Sequence, residues 1–302
     1  MPLVKILPLM LIFGVILFLK NRQVFRKEDG QVVSKILVNL VVPATIINAF
    51  SSVVFNRQLF LFPVLGVVVV LSMLGIGYLL SAILNLSGKT KGAFIISFPT
   101  LEGGSVGYVF MLAVFGKNGL VPIALFDLGN AICFFGVIFF VAYSLGRGRE
   151  RFNLATGLLQ LGKSPIIWSF GIGILLNILH IHADVISALI GTVSQATLVL
   201  IMVMLALEFE LTFTSLRLPL ITIFLKTGVG FTIGVVATIL LHVKGVEQMA
   251  IVVGASLPAS LLTLVYATEN DLDSQFVANL LSVALPCAIL FDTALVYILG
   301  LG

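Results

Sequence analysis

Residues 98–107 read Phe-Pro-Thr-Leu-Glu-Gly-Gly-Ser-Val-Gly, and residues 254–260 read Gly-Ala-Ser-Leu-Pro-Ala-Ser. Each stretch sits in the middle of a long apolar run, 92–115 and 248–267. Proline removes a backbone donor and glycine loosens a helix, so each run reads as a helix broken near its centre. Inside a bilayer the freed peptide groups have no water to bond. Such a break is tolerated only where it lines a cavity or is buried in protein. Two broken helices crossing at mid-membrane would aim half-helix N-termini, with free N–H groups and positive dipole ends, at one point. That geometry suits an anion. The competing reading is a pair of proline kinks that bend helices for packing alone.

The rest of the chain supplies the bilayer. Of 302 residues, 60% are hydrophobic and only 10% are charged, against about 25% charge in a soluble domain. The mean hydropathy is +1.20. This composition excludes a globular enzyme, a nucleic-acid-binding domain, a disulfide-stapled module and a disordered chain. The apolar runs number ten: 3–20, 32–55, 59–84, 92–115, 119–145, 164–180, 185–208, 218–241, 248–267 and 273–300. They are apolar all round, as at Leu65–Leu71, and lack the alternation of barrel strands, so they read as spanning helices. The first run is kept as a span rather than a signal peptide, because its cations (Lys20, Arg22, Arg26, Lys27) follow it instead of preceding it. The expected fold is an all-α polytopic membrane protein of ten transmembrane helices.

A weak internal match at an offset of 152 residues lays Met111–Ile132 over Thr263–Ala284, with Asp127 on Asn279. An odd number of helices per half gives the halves opposite orientations, and inverted repeats of this kind mark secondary transporters. The expected organisation is two inverted five-helix repeats, 1–145 and 164–302, joined by a short cytoplasmic linker, 146–163. Helices 4 and 9 would be the broken, crossing pair. Cationic loop residues fall mainly on one side (Lys20 to Lys27, Lys89, Lys91, Arg147 to Lys163, Arg217). The positive-inside rule then puts both termini outside a cell membrane, read here as a bacterial inner membrane.

Glu102 is the sharpest single residue. A carboxylate in a broken span is costly unless paired, hydrated or protonated. It could hold a coupling cation or carry a coupling proton, or it could be a strut that accepts hydrogen bonds from loose backbone N–H groups. With it go Gly103, Gly104 and Ser105 in the first break, and Ser256, Pro258 and Ser260 in the second. Asp127 and Asn130 in helix 5, and Asn279 in helix 10, would support the crossover from either side. Asn39 and Asn48 make helix 2 polar around Pro43, which should kink it. The competing reading for these amides is interhelical bonding. Lys226 reads as a side chain snorkelling towards the inner interface. His180, His182 and Asp184 read as an exposed loop rather than a metal site, and Asp292 has no assigned role. No hydrolase, metalloprotease or nucleotide-binding motif is present, so neither an enzyme nor a primary pump is expected.

Four further stretches carry a resemblance. They are Asn39-Leu-Val-Val-Pro-Ala-Thr, Phe115-Gly-Lys-Asn-Gly-Leu, Lys163-Ser-Pro-Ile-Ile, and Ala255-Ser-Leu-Pro-Ala-Ser followed by Tyr266. With these the whole chain resembles the auxin efflux carrier family, which includes plant PIN-type carriers and bacterial malate-permease-like proteins. The resemblance implies a scaffold and a crossover subdomain that move against each other, as in bile-acid symporters and sodium/proton antiporters. The family commonly has an Asn-Thr-Gly-Phe-like run at the first crossover, where this chain has Leu101-Glu-Gly-Gly-Ser.

The resulting expectation is a secondary active transporter of a small organic anion, a carboxylate such as malate or an auxin-like acid. The alternatives are a cation-coupled symporter of a neutral or bile-acid-like substrate, and a non-transporting receptor or scaffold on the same fold. No cofactor is expected beyond a coupling proton or sodium ion. The partners are the substrate and the lipid bilayer, with no nucleic acid, and a homodimer is compatible with the sequence. The orientation is checked by labelling single cysteines in a background with Cys133 and Cys287 replaced by serine. Asn118→Cys should react with an impermeant reagent from outside and Gly88→Cys only from inside. The reverse pattern would overturn it.

Overall fold

The computed structural model describes residues 2–52, 59–146, 162, 165–180, 184–209 and 216–298. Most of the expected linker and the loop cations Arg57, Arg147, Arg149, Arg151 and Lys163 lie outside the described residues. Among the described residues all regular structure is helical. Helices α1 (Pro2–Asn21), α2 (Lys27–Ile36), α3 (Val42–Phe50) and α4 (Leu61–Ile83) lead into α5 (Gly88–Ser97) and α6 (Tyr108–Phe115). Then come α7 (Lys117–Cys133), α8 (Phe139–Leu145), α9 (Pro165–Ile178), α10 (Asp184–Gln195) and α11 (Thr197–Glu208). The chain continues through α12 (Arg217–Leu240), α13 (Gly245–Ser256), α14 (Leu262–Glu269) and α15 (Ser274–Ile298).

Six stretches are long and apolar enough to cross a membrane: Glu28–Phe50, Leu61–Ile83, Lys117–Leu145, Val185–Leu207, Arg217–Leu240 and Ser274–Asp292. The fold is therefore that of a helical, polytopic membrane protein. Several of these stretches are joined helices. Between α2 and α3 the turn widens at Leu37–Val41, where the Val42 N–H bonds to the Leu37 carbonyl. Pro43 lacks the N–H that would have served Asn39, and the wide turn absorbs the defect. A second wide turn, Phe134–Ile138, joins α7 to α8.

The two broken runs are genuine breaks. Helix α5 ends at Ser97 and regular structure resumes with a wide turn at Gly103–Gly107 that leads into α6. Helix α13 ends at Ser256 and α14 begins at Leu262. The half-helices before the breaks are sheathed: Phe94, Ile95, Ile96 and Ala250 to Val253 are fully buried. By contrast Phe18, Leu79, Leu175 and Phe224, on α1, α4, α9 and α12, are exposed, as lipid-facing positions are.

Close backbone approach holds this sheath together. A Cβ on Gly66 of α4 would fall on the Phe126 carbonyl oxygen, and one on Gly129 of α7 would fall on that of Pro63. A Cβ on Gly230 of α12 would fall on the carbonyl of Ala255. Without a hydrophobic drive between helices in lipid, contact of this kind is what membrane helix pairs rely on. At one end, Lys89 Nζ meets Asp271 Oδ1 at 2.6 Å and Thr90 Oγ1 donates to Asp273 Oδ2 at 2.7 Å, clipping the start of α5 to the segment after α14. The packing predicts that Gly129→Ala lowers stability by about 1–3 kcal/mol. Gly75→Ala, in open space, should be neutral or slightly stabilising through helix propensity. Thermal unfolding in detergent compares the two, and equal behaviour would refute the close-packing account.

Candidate functional site

The site starts from backbone groups that the two breaks leave without helical partners. Pro99 has no N–H and disfavours helix at Phe98, so α5 loses its C-terminal carbonyls there. The breaks then bond to each other: the Glu102 N–H donates to the Pro258 carbonyl at 3.0 Å. Thr263 Oγ1 donates to Thr100 Oγ1 at 2.9 Å, and the Ser260 N–H reaches the same oxygen at 3.4 Å.

Glu102 sits at the start of both second half-helices. Its Oε1 accepts from Ser105 Oγ at 2.7 Å and from the Ser105 N–H at 3.3 Å. Its Oε2 accepts from the Leu261 N–H at 2.8 Å. The side chain is only 8% exposed. All its bonds are accepted ones, as suits an ionised carboxylate, and the negative charge lies at two positive helix ends. Where the breaks were expected to seat an anion, the chain's own carboxylate accepts the backbone amides.

Beside it, Asp127 Oδ2 accepts from Tyr108 OH at 2.8 Å and Oδ1 from Asn130 Nδ2 at 2.8 Å. Asn130 Nδ2 also donates to the Leu101 carbonyl at 2.9 Å, tying α7 to the first break. A Cβ on Gly103 would fall on the Asp127 carboxyl group, so only glycine there lets the acid reach the break. The buried Asn130 Oδ1 has no hydrogen-bond partner.

A cavity of about 330 Å³ opens on this wall, within the range of small-ligand pockets. Glu102, Gly103, Gly104, Ser105, Tyr108, Asp127, Asn130, Ser260 and Leu261 line it, with Ser34 opposite. The rest is apolar, including Leu37, Val38, Phe134, Phe135, Ile166, Ile167 and Met204. All three wide helical turns contribute to this wall, through Leu37 and Val38, Gly103 to Ser105, and Phe134 and Phe135. Wide turns of this kind favour functional sites.

Seven residues proposed from sequence therefore meet at one cavity: Glu102, Gly103, Gly104, Ser105, Asp127, Asn130 and Ser260. The others stand elsewhere. Asn39 is exposed, and its amide bonds back to the Lys35 carbonyl. Asn48 bridges Ser194 and Lys117 in an interhelical network. Asn279 accepts from Gln275 on its own helix. Ser256 and Pro258 line a second cavity of about 510 Å³ on α12, α13 and α15. Helix α5 ends at Ser97 and α13 at Ser256, 159 positions on, whereas the overlay read from the sequence lies at 152.

Lys226 corrects a sequence expectation. It does not snorkel; it is 2% exposed, and its Nζ donates to the Phe98 and Thr100 carbonyls at 2.7 Å each. Tyr108 and Thr100 also escaped the sequence reading, because neither is unusual in an apolar run. Asp292 is 1% exposed with Oδ2 unpartnered. Among the described residues no group of acids, histidines and cysteines could hold a metal ion, and His182 lies outside them.

No family model matches the chain. It is similar to proteins described as transporters. Over 269 residues it is 26% identical to an uncharacterized transporter of Methanothermobacter thermautotrophicus, covering 86% of each chain. Over 277 residues it is 26% identical to an uncharacterized transporter of Methanocaldococcus jannaschii, covering 87% of each. Neither description names a substrate, and neither singles out the auxin efflux carrier family.

The contact at Gly103 gives a test. Gly103→Ala should destabilise the protein by about 1–3 kcal/mol. Combined with Asp127→Ala, which removes the obstructing carboxyl, the loss should fall below the sum of the two single losses by about 0.5–3 kcal/mol. Strict additivity of unfolding free energies would show that Asp127 does not press on the break.

Proposed function

We propose that the protein is a secondary active transporter of a small monocarboxylate with an apolar body, and that it works by alternating access around the two breaks. It performs no covalent chemistry. The observation that carries the reading is Glu102 bridging the amides of Ser105 and Leu261, at the starts of two different half-helices, on the wall of the cavity. A substrate carboxylate would take the place that Glu102 holds, with its apolar part against Phe134, Phe135 and Ile166.

Two anions cannot share one seat without strong mutual repulsion. When substrate binds, Glu102 leaves the amides, and a carboxyl group leaving those partners in a membrane interior needs a proton. When substrate departs on the far side, Glu102 gives up that proton and returns to the amides. Substrate and proton thus travel together, and the empty carrier resets with its own carboxylate in place. The ten-helix, inverted-repeat organisation, membership of the auxin efflux carrier family and placement in a cell membrane with outward termini belong to this proposal. They are supported by the paired breaks, the six long apolar stretches and the transporter relatives.

One observation favours a second reading, a cationic substrate: Glu102 and Asp127 both line the cavity, and among the described residues its lining contains no lysine or arginine. Counterflow in proteoliposomes separates the readings, with malate, indole acetic acid, short fatty acids and organic amines as probes. The proposal expects counterflow of an apolar monocarboxylate. Glu102→Gln should keep its exchange but lose at least about tenfold of the accumulation driven by a proton gradient, a factor equivalent to 1.4 kcal/mol. Amine counterflow abolished by the same substitution would establish the second reading. Binding without flux of any probe would make the protein a receptor.

A further inference from the structure

We propose that Lys226 is a built-in replacement for an alkali metal ion at the first break, so that the protein neither needs nor binds Na⁺ or K⁺ there. A broken membrane helix exposes two kinds of backbone. Its N-terminal N–H groups suit anions, and its C-terminal carbonyls, at the negative end of the dipole, suit a small cation. Glu102 fills the first role. The second set consists of the Phe98 and Thr100 carbonyls, and both accept from Lys226 Nζ at 2.7 Å.

The surroundings are those of a cation held by carbonyls. Lys226 is 2% exposed and forms no salt bridge with a carboxylate. Its two acceptors lie 128 and 126 residues away in sequence, so α12 delivers the ammonium across a helix interface to the end of α5. Two carbonyls at one distance around one buried point charge are a start that a bare monovalent ion would complete with further oxygens, and Thr100 also carries a hydroxyl, which donates to the Ser97 carbonyl. A route for an ion also exists. Lys226 lines the second cavity, of about 510 Å³, together with Phe224, Ser256, Pro258 and Cys287. Cutting the side chain back would open that cavity onto the two carbonyls.

The inference deepens the transport reading by assigning its ion dependence, yet it is tested without any flux. Thermal unfolding of purified protein is compared in sodium, potassium and choline chloride at equal ionic strength. Wild type should unfold at the same temperature in all three. Lys226→Ala and Lys226→Ser should unfold earlier in choline and regain stability saturably in sodium or potassium. The regain should reach about 2–4 °C or more, the shift that 1 kcal/mol produces in a chain of this order of size. Lys226→Met, which keeps the bulk and leaves no room for an ion, should stay insensitive to the salt.

A saturable sodium or potassium shift in wild type would overturn the proposal, since the site would then coexist with the ammonium. So would alanine and serine variants that gain nothing from either ion, or that cannot be recovered even when produced and purified in sodium or potassium. Failure of the transport reading shows separately, as absence of counterflow with these salt responses intact. Sodium-dependent counterflow in wild type would sink the present inference and leave the transport reading standing.

Discussion

Peptide groups released from a helix inside a membrane must find partners within the protein, and the centre of this molecule is organised by that requirement. The breaks at 98–102 and 257–261 release carbonyls from two helix ends and N–H groups from two helix starts. Each set of partners comes from a different part of the chain. Lys226 serves Phe98 and Thr100, Asn130 serves Leu101, and Glu102 serves Leu261 and Ser105 with its side chain and Pro258 with its backbone. The helices that deliver these groups must hold their positions closely, and the glycine contacts between α4 and α7 and between α12 and α13 provide that registration. The cavity is the space left once these demands are met.

The breaks were legible because proline and glycine act locally. Pro99, Pro258 and the run Gly103-Gly104 announce an interrupted helix whatever surrounds them. Glu102 was legible for a similar reason, since a carboxylate amid so many apolar residues has few explanations. Of the two readings weighed for it, a coupling carboxylate and a strut on loose backbone amides, the bonds to Ser105 and Leu261 display the second directly. Asp127 and Asn130 were legible as a polar pair one turn apart on the face of a helix.

What the sequence concealed depends on contacts between distant segments. Lys226 looked like an interfacial lysine because its partners are backbone oxygens, which carry no residue identity, more than a hundred positions away. Asn39 and Asn48 looked equivalent to Asn130, but rotation of helix α2–α3 about the wide turn at Leu37–Val41 turns the first outward and gives the second to Ser194 and Lys117. The overlay of the two halves at 152 residues followed the polar turns after α6 and α14. The breaks themselves stand at a different spacing, because the wide turn Gly103–Gly107 precedes α6 whereas α14 follows its break directly.

The opposite charges of Glu102, in the first break, and Lys226, bonded to that break from α12, bear on how the molecule responds to voltage. Moving one uncompensated elementary charge across a membrane potential costs about 2.3 kcal/mol per 100 mV. A moving unit made of the two breaks and α12 would hold one acidic and one basic side chain, Glu102 and Lys226, whose charges cancel. In the transport cycle proposed above, the empty return would then be indifferent to the electric field. In the carrier proposed above, a resting potential of either sign would neither trap the unloaded state on one face nor drive it to the other, and only what it carries would feel the voltage.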